Sequence, residues 1–125
     1  MRLLLDTHVL LWWLDDPVRL SRAARKAIQD GANPVYISAA GTREITIKKA
    51  LGKLDASDDL EDVMEANHFP PLPITIPHTL AVRSLPDHHR DPFDRILIVQ
   101  ALHEGFRLVN RDSEIAKYPV PQIVA

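Results

Sequence analysis

Leu3-Leu4-Leu5 is a short apolar run that stops at Asp6-Thr7, and Val9 to Leu14 continues with helix-compatible residues until Pro17. This pattern predicts a buried strand feeding a helix, with a carboxylate at the junction. Ser21 opens a second helix, whose stripe of Ala23, Ala24, Ala27 and Ile28 ends before Gly31. Val35-Tyr36-Ile37 reads as a strand. Ser38 then caps a helix from Ala39 to about Leu51, with Gly52 in the left-handed position beyond it. Ser57 is the expected cap of a further helix, with Asp58, Asp59 and Glu61 in its first turn and Pro70-Pro71 blocking it past His68. Leu72 to Ile76 alternates like a strand, and Pro77 suits the first turn of a helix covering Leu80 to Ser84. Asp91-Pro92 starts a helix that Ile96-Leu97-Ile98-Val99 and Ala101-Leu102 mark as central, and Gly105 ends it. Phe106 to Val109 is the last clear strand, because Pro119 and Pro121 weaken one at Gln122 to Val124.

Strands separated by helices imply right-handed crossovers and a mainly parallel sheet covered on both faces, so the fold class is α/β in a single domain. The chain has 125 residues, of which 46% are hydrophobic and 26% charged, enough for a core without staples. It contains no cysteine, which excludes disulfides, thiolate metal sites and thiol chemistry. Asp6 and His8 interrupt the N-terminal apolar run before it reaches signal-peptide length, and no apolar segment approaches the ~20 residues of a membrane span. A cytoplasmic protein is expected. The net charge of −2 gives no general attraction to phosphates, so contact with nucleic acid requires a local basic patch.

In parallel sheets ligands gather beyond the carboxyl ends of the strands, and this sequence puts acids there. Asp6 follows the first strand, Glu44 lies in the helix after the second, Asp91 and Asp94 open the central helix, and Asp112 follows the Phe106 to Val109 strand. Each has an ordinary structural explanation. Asp6 and Asp91 are natural helix caps, Asp94 resembles the partner of a capping box, Glu44 and Lys48 are spaced for a surface ion pair, and Asp112 suits a turn. Together they change the picture. Two carboxylates near 4 Å repel by about 4 kcal/mol at an effective dielectric of 20, so convergent acids need a counter-charge. With oxygen ligands alone, that charge is a hard cation, Mg²⁺ or Mn²⁺. Such an ion polarises a phosphoryl oxygen and acidifies a bound water, which is the chemistry of phosphodiester hydrolysis.

Four blocks carry a family resemblance: Asp6-Thr7-His8-Val9-Leu10-Leu11-Trp12; Ile37-Ser38-Ala39-Ala40 through Glu44-Ile45-Thr46-Ile47-Lys48 to Leu51-Gly52-Lys53-Leu54; His89-Arg90-Asp91-Pro92-Phe93-Asp94-Arg95; and Leu108-Val109-Asn110-Arg111-Asp112. In this order they resemble PIN-domain proteins, and among these the VapC-like toxins of bacterial type II toxin–antitoxin pairs. The likeness runs from Met1 to about Val120 and implies that residues 1–125 form one PIN domain. It implies a metal-dependent ribonuclease with an acidic quartet at Asp6, Glu44, Asp94 and Asp112. Asp6 and Asp94 are then the principal metal ligands, and Glu44 and Asp112 hold metal-bound waters, complete a second metal site or orient the attacking water. RNA as substrate, a homodimer and a cognate antitoxin lying in a groove between the N-terminal helices also follow from the resemblance.

Two positions depart from the family pattern: Arg43 replaces an aromatic residue before the helix glutamate, and Asn110 replaces a hydroxyl residue before the fourth acid. They motivate a rival reading, a catalytically degenerate module that binds or regulates. A third reading, a phosphohydrolase that phosphorylates Asp6, would need a second Asp two residues on, where His8 stands. Candidate phosphate contacts are Arg43, Lys48, Lys49, Arg90, Arg95 and Arg111, and Thr7, Ser38 and Asn110 could hold waters or phosphate oxygens. Trp12 and Trp13, adjacent on one helix, are not expected to face the same core.

Overall fold

The computed structural model describes residues 1–125. Its five strands are β1 (Leu3–Leu5), β2 (Val35–Ser38), β3 (Pro71–Leu72), β4 (Arg107–Asn110) and β5 (Gln122–Val124). They form one sheet in the order β3-β2-β1-β4-β5, and every pairing is parallel. The helices are α1 (Thr7–Asp15), α2 (Arg22–Gln29), α3 (Ala39–Ala50), α4 (Leu60–Ala66), α5 (Ile76–Ala81) and α6 (Pro92–Glu104). The chain builds outward from β1 through β2 to β3, then returns to the other side of β1 as β4. The strand order therefore reverses between β1 and β4, the place where open parallel sheets leave a crevice beyond their carboxyl ends.

The alternation of β1 explains the two cores. Leu3 and Leu5 turn to the face covered by α1 and α2, where Val9, Leu10, Ala24 and Ile28 bury them. Leu4 turns to the other face and meets Leu97, Ile98 and Ala101 of α6. A strand fully buried on both sides must read as a continuous apolar run. The ends of α3 follow the sequence closely. Ser38 Oγ accepts from the Ala40 amide at 3.0 Å, and Gly52, at φ +70°, lets the Lys53 amide reach back to the Lys48 carbonyl at 2.8 Å.

Several boundaries differ from expectation. β3 is only Pro71–Leu72, and Ile74 and Ile76 are exposed, because the chain leaves the sheet to give the Pro73 carbonyl to Gln100. Ser57 does not cap α4; it bonds to the side chain of Asp59, which holds the cap position. β5 does form. Pro121 stands just before it, and its carbonyl accepts from Leu108, so proline's missing N–H costs the ladder nothing. Trp12 and Trp13 both lie half-buried along one core. Neighbouring helical positions lie about 100° apart, and rings of this size reach both flanks of a broad apolar face.

Candidate functional site

Asp6 ends β1 at the cap position of α1, yet its carboxylate makes no capping hydrogen bond. The residue is only 7% exposed, and it lines a cavity of about 290 Å³ with His8, Trp12, Arg111 and Asp112. Burial, then the charge of Glu44, then those of Asp112 and Asp91 raise its pKa from 3.8 to about 7, opposed by the Thr7 amide. A cap that does not cap is the first sign that this carboxylate serves something other than the helix. Asp94, in the first turn of α6, is buried as well. Its pKa is likewise raised by burial and by the charges of Asp6, Asp91 and Glu44, while a hydrogen bond from His89 pulls it back.

Glu44 projects from the middle of α3 and is buried. Thr7 Oγ1 donates to its Oε1 at 2.8 Å, and Lys48 Nζ pairs with its Oε2. The solvated ion pair suggested by the spacing is in fact half inside the protein. Asp112 follows β4, accepts from the Glu114 amide at 2.8 Å and lines the same cavity as Asp6. Asp91 is the cap of α6, accepting from the Phe93 and Asp94 amides at 2.9 and 3.0 Å. Asp94 is therefore free of capping duty. Asp6, Glu44, Asp94 and Asp112 thus come from four segments distant in sequence; Glu44 and Asp112 act electrostatically on Asp6, and Asp6 and Glu44 on Asp94.

Asp94 has a partner that sequence reasoning missed. His89 Nε2 lies 3.2 Å from Asp94 Oδ2, and its Nδ1 lies 2.9 Å from the Tyr118 hydroxyl. Tyr118 already accepts from Arg95 Nη1 at 3.0 Å, so its proton is directed to His89 Nδ1. This network assigns the imidazole proton to Nε2, which donates to Asp94. The available signal was a histidine five residues before the acid.

Other expectations change. Ser38 donates to Gln100 at 2.6 Å as well as capping α3, and Asn110 bonds Gln122 at 3.1 Å, so both are structural. Arg95 is committed to the carbonyls of Pro86, His89 and Val82. Arg111 bonds the Ala125 carbonyl and stacks 4.5 Å from the Trp12 ring centre, with Arg19 on the same indole at 4.7 Å. Arg43 is exposed and touches none of the acids; the cation beside Glu44 is Lys48. A larger cavity of about 820 Å³, between α3 and α4, contains none of the four acids.

No three His, Asp or Glu side chains are gathered tightly enough to grip an ion by protein ligands alone. That suits a hard divalent cation, which accepts one or two carboxylates and keeps its waters. Asp6 and Asp94, both buried, with the charge of Asp6 raising the pKa of Asp94, are a donor pair that fits such an ion.

A parallel α/β domain with acids at its strand-order reversal has them where such sheets bind their ligands. The PIN domain family model matches residues 3–121, and the chain belongs to that family. Ribonuclease VapC22 of Mycobacterium tuberculosis (strain ATCC 25618 / H37Rv) is 29% identical over 124 residues, covering 97% of this chain and 95% of its own. The same fold occurs in VapBC2 from Rickettsia felis bound to a DNA fragment from its promoter, with a TM-score of 0.70, 13% identity and 98% of each chain covered. It also occurs in DNA-bound VapBC from Salmonella typhimurium, with a TM-score of 0.68, 14% identity and coverage of 99% and 97%. No helix is long and apolar enough to cross a membrane.

Proposed function

We propose that this PIN domain is a ribonuclease of the VapC toxin type, dependent on Mg²⁺ or Mn²⁺ and silenced by a cognate antitoxin. The observation that carries the reading is the pair Asp6 and Asp94, buried carboxylates with no Lys or Arg paired to either. These two would hold the ion, which when bound supplies charge for a phosphoryl oxygen and an acidified water. His89 fixes Oδ2 of Asp94 and so aims the other oxygen, as outer partners of metal ligands do. Glu44 and Asp112 complete the catalytic cluster, Glu44 held by Thr7 and Lys48, and Asp112 on the cavity wall beside Asp6. The likeness to VapC22 over nearly its full length supports RNA as substrate, and relatives of the same fold in VapBC complexes support an antitoxin partner. A homodimer of one PIN domain per chain, working in the cytoplasm, completes the reading.

The test is to free the purified chain from any antitoxin, incubate it with total bacterial RNA and Mg²⁺, and sequence the fragment ends. Recurrent cleavage at defined sites, absent from Asp94→Asn, is expected. Intact RNA under all metal conditions would leave a binding module.

A further inference from the structure

Arg111 stands between the end of β4 and Asp112, and it lines the cavity of about 290 Å³ together with Asp6, Trp12 and Asp112. Its Nε and Nη2 donate to the Ala125 carbonyl at 3.1 and 2.7 Å, and Nη2 also donates to the Arg19 carbonyl. Nη1, which carries two of a guanidinium's five N–H donors, bonds nothing in the chain. One edge of the group is fixed and the other is open. Trp12 seats it with Cζ 4.5 Å from the ring centre, and the Arg19 Cζ lies 4.7 Å from the same centre. Both arginines are exposed, and neither pairs with a carboxylate.

Two like charges gathered on one indole repel each other, and an anion is what the arrangement lacks. The other basic residues near the acids are placed differently. Lys48 pairs with Glu44, Lys49 with Asp58, and Arg95 holds backbone carbonyls. An RNA strand brings one negative charge with every nucleotide, so a strand cut at Asp6 and Asp94 also presents the phosphate next to the reacting one. That phosphate would meet the carboxylates of Asp6 and Asp112 at the cavity wall. The net charge of −2 supplies no general attraction, so it needs a cation of its own there. Arg111 is the cation that lines this cavity, and Arg19 continues it along the same indole.

We propose that Arg111 and Arg19, seated on Trp12, form a phosphate subsite that binds the RNA strand beside the scissile bond. This rests on the ribonuclease reading and deepens it. The open Nη1 edge of Arg111 donates to the neighbouring phosphate, and Arg19 takes the strand as it leaves the cavity. Both contacts are to the backbone and are blind to base sequence.

Binding is measured by fluorescence anisotropy with a labelled short oligouridylate on the full Asp94→Asn chain with Mg²⁺, across a range of KCl. Arg111→Gln and Arg19→Gln, each added to that background, should weaken binding at low salt by about 10–100-fold, the scale of one charge-assisted hydrogen bond. The slope of log binding constant against log salt should become shallower by about 0.7 in each, the loss of one phosphate contact to a single strand. Arg83→Gln, at an exposed residue lining neither cavity, should change neither quantity. With Asp94 restored, Arg19→Gln should raise KM by the same order and leave kcat within a few-fold. Should Arg111→Gln fail to fold, Arg19→Gln decides alone, since the Arg19 guanidinium holds no other group. Unchanged affinity and slope in both variants, an equal effect in Arg83→Gln, or no binding of the oligouridylate overturns the proposal. An oligo-aspartate peptide that binds more tightly than the oligouridylate and loses that advantage in both variants would give the arginines to an acidic protein segment, and overturns it too. Each of these leaves cleavage by the unaltered chain untouched, whereas the expected slopes on a chain that never cuts RNA would remove the ribonuclease and keep the subsite.

Discussion

Thr7 Oγ1 donates to Glu44 Oε1 at 2.8 Å, tying the first residue of α1 to the middle of α3 across 37 positions of sequence. The approach is close: a Cβ at Gly41, one turn before Glu44, would lie 3.5 Å from that hydroxyl. Thr7→Val keeps the shape and deletes the donor, leaving a buried carboxylate oxygen without its partner. A loss of about 1–3 kcal/mol is expected from urea unfolding, with reduced cleavage, and Thr7→Ser should restore most of both. A Thr7→Val chain as stable as the original would show that the hydroxyl is not needed there.

The Asp6 carboxyl, raised from 3.8 to about 7, makes stability depend on pH in an unusual direction. Between those values the folded chain keeps a proton that the unfolded chain has released. Stability of the metal-free domain should therefore fall as pH rises from about 4 to 7 and level off above, as far as this group is concerned. Asp6→Asn removes that loss. It should stabilise the metal-free domain at pH 8 by about 0.5–2 kcal/mol, the usual gain when a functional strain is relieved, while abolishing cleavage. Urea unfolding of both chains from pH 5 to 8 checks the sign, and a destabilised Asp6→Asn at pH 8 would contradict it.

Asp91 and Asp94 stand three residues apart and should behave oppositely. Asp91 caps α6, so Asp91→Asn should leave stability and activity nearly unchanged, and Asp91→Ala should cost about 1 kcal/mol. Asp94 caps nothing, and Asp94→Asn should fold and fail to cleave. Thermal melting with an RNA cleavage assay on the three variants separates the roles.

The sheet was readable because β1, β2 and β4 are buried runs and the polar residue after each run is abrupt. β5 and the true extent of β3 were not, since pairing at a sheet edge depends on which N–H groups face a neighbour, and proline content alone does not reveal that. Among the acids, their position after strands was legible, but the division of labour was not. Asp6 and Asp91 look alike as helix caps in sequence, yet Asp91 accepts two amides of its helix and Asp6 makes no capping hydrogen bond. The partners of Glu44 and Asp94 split the same way. Lys48, one turn along the same helix, was foreseeable, whereas Tyr118 reaches His89 only through folding.

Removal and return of the divalent ion decides whether the acidic pair does the chemistry. The purified chain is assayed on total bacterial RNA with Mg²⁺, with excess EDTA, and with Mg²⁺ restored in excess over chelator. Cleavage that vanishes in EDTA and returns at the same fragment ends is the expected result. Undiminished cleavage in EDTA, with Asp6→Asn equally active, would contradict it.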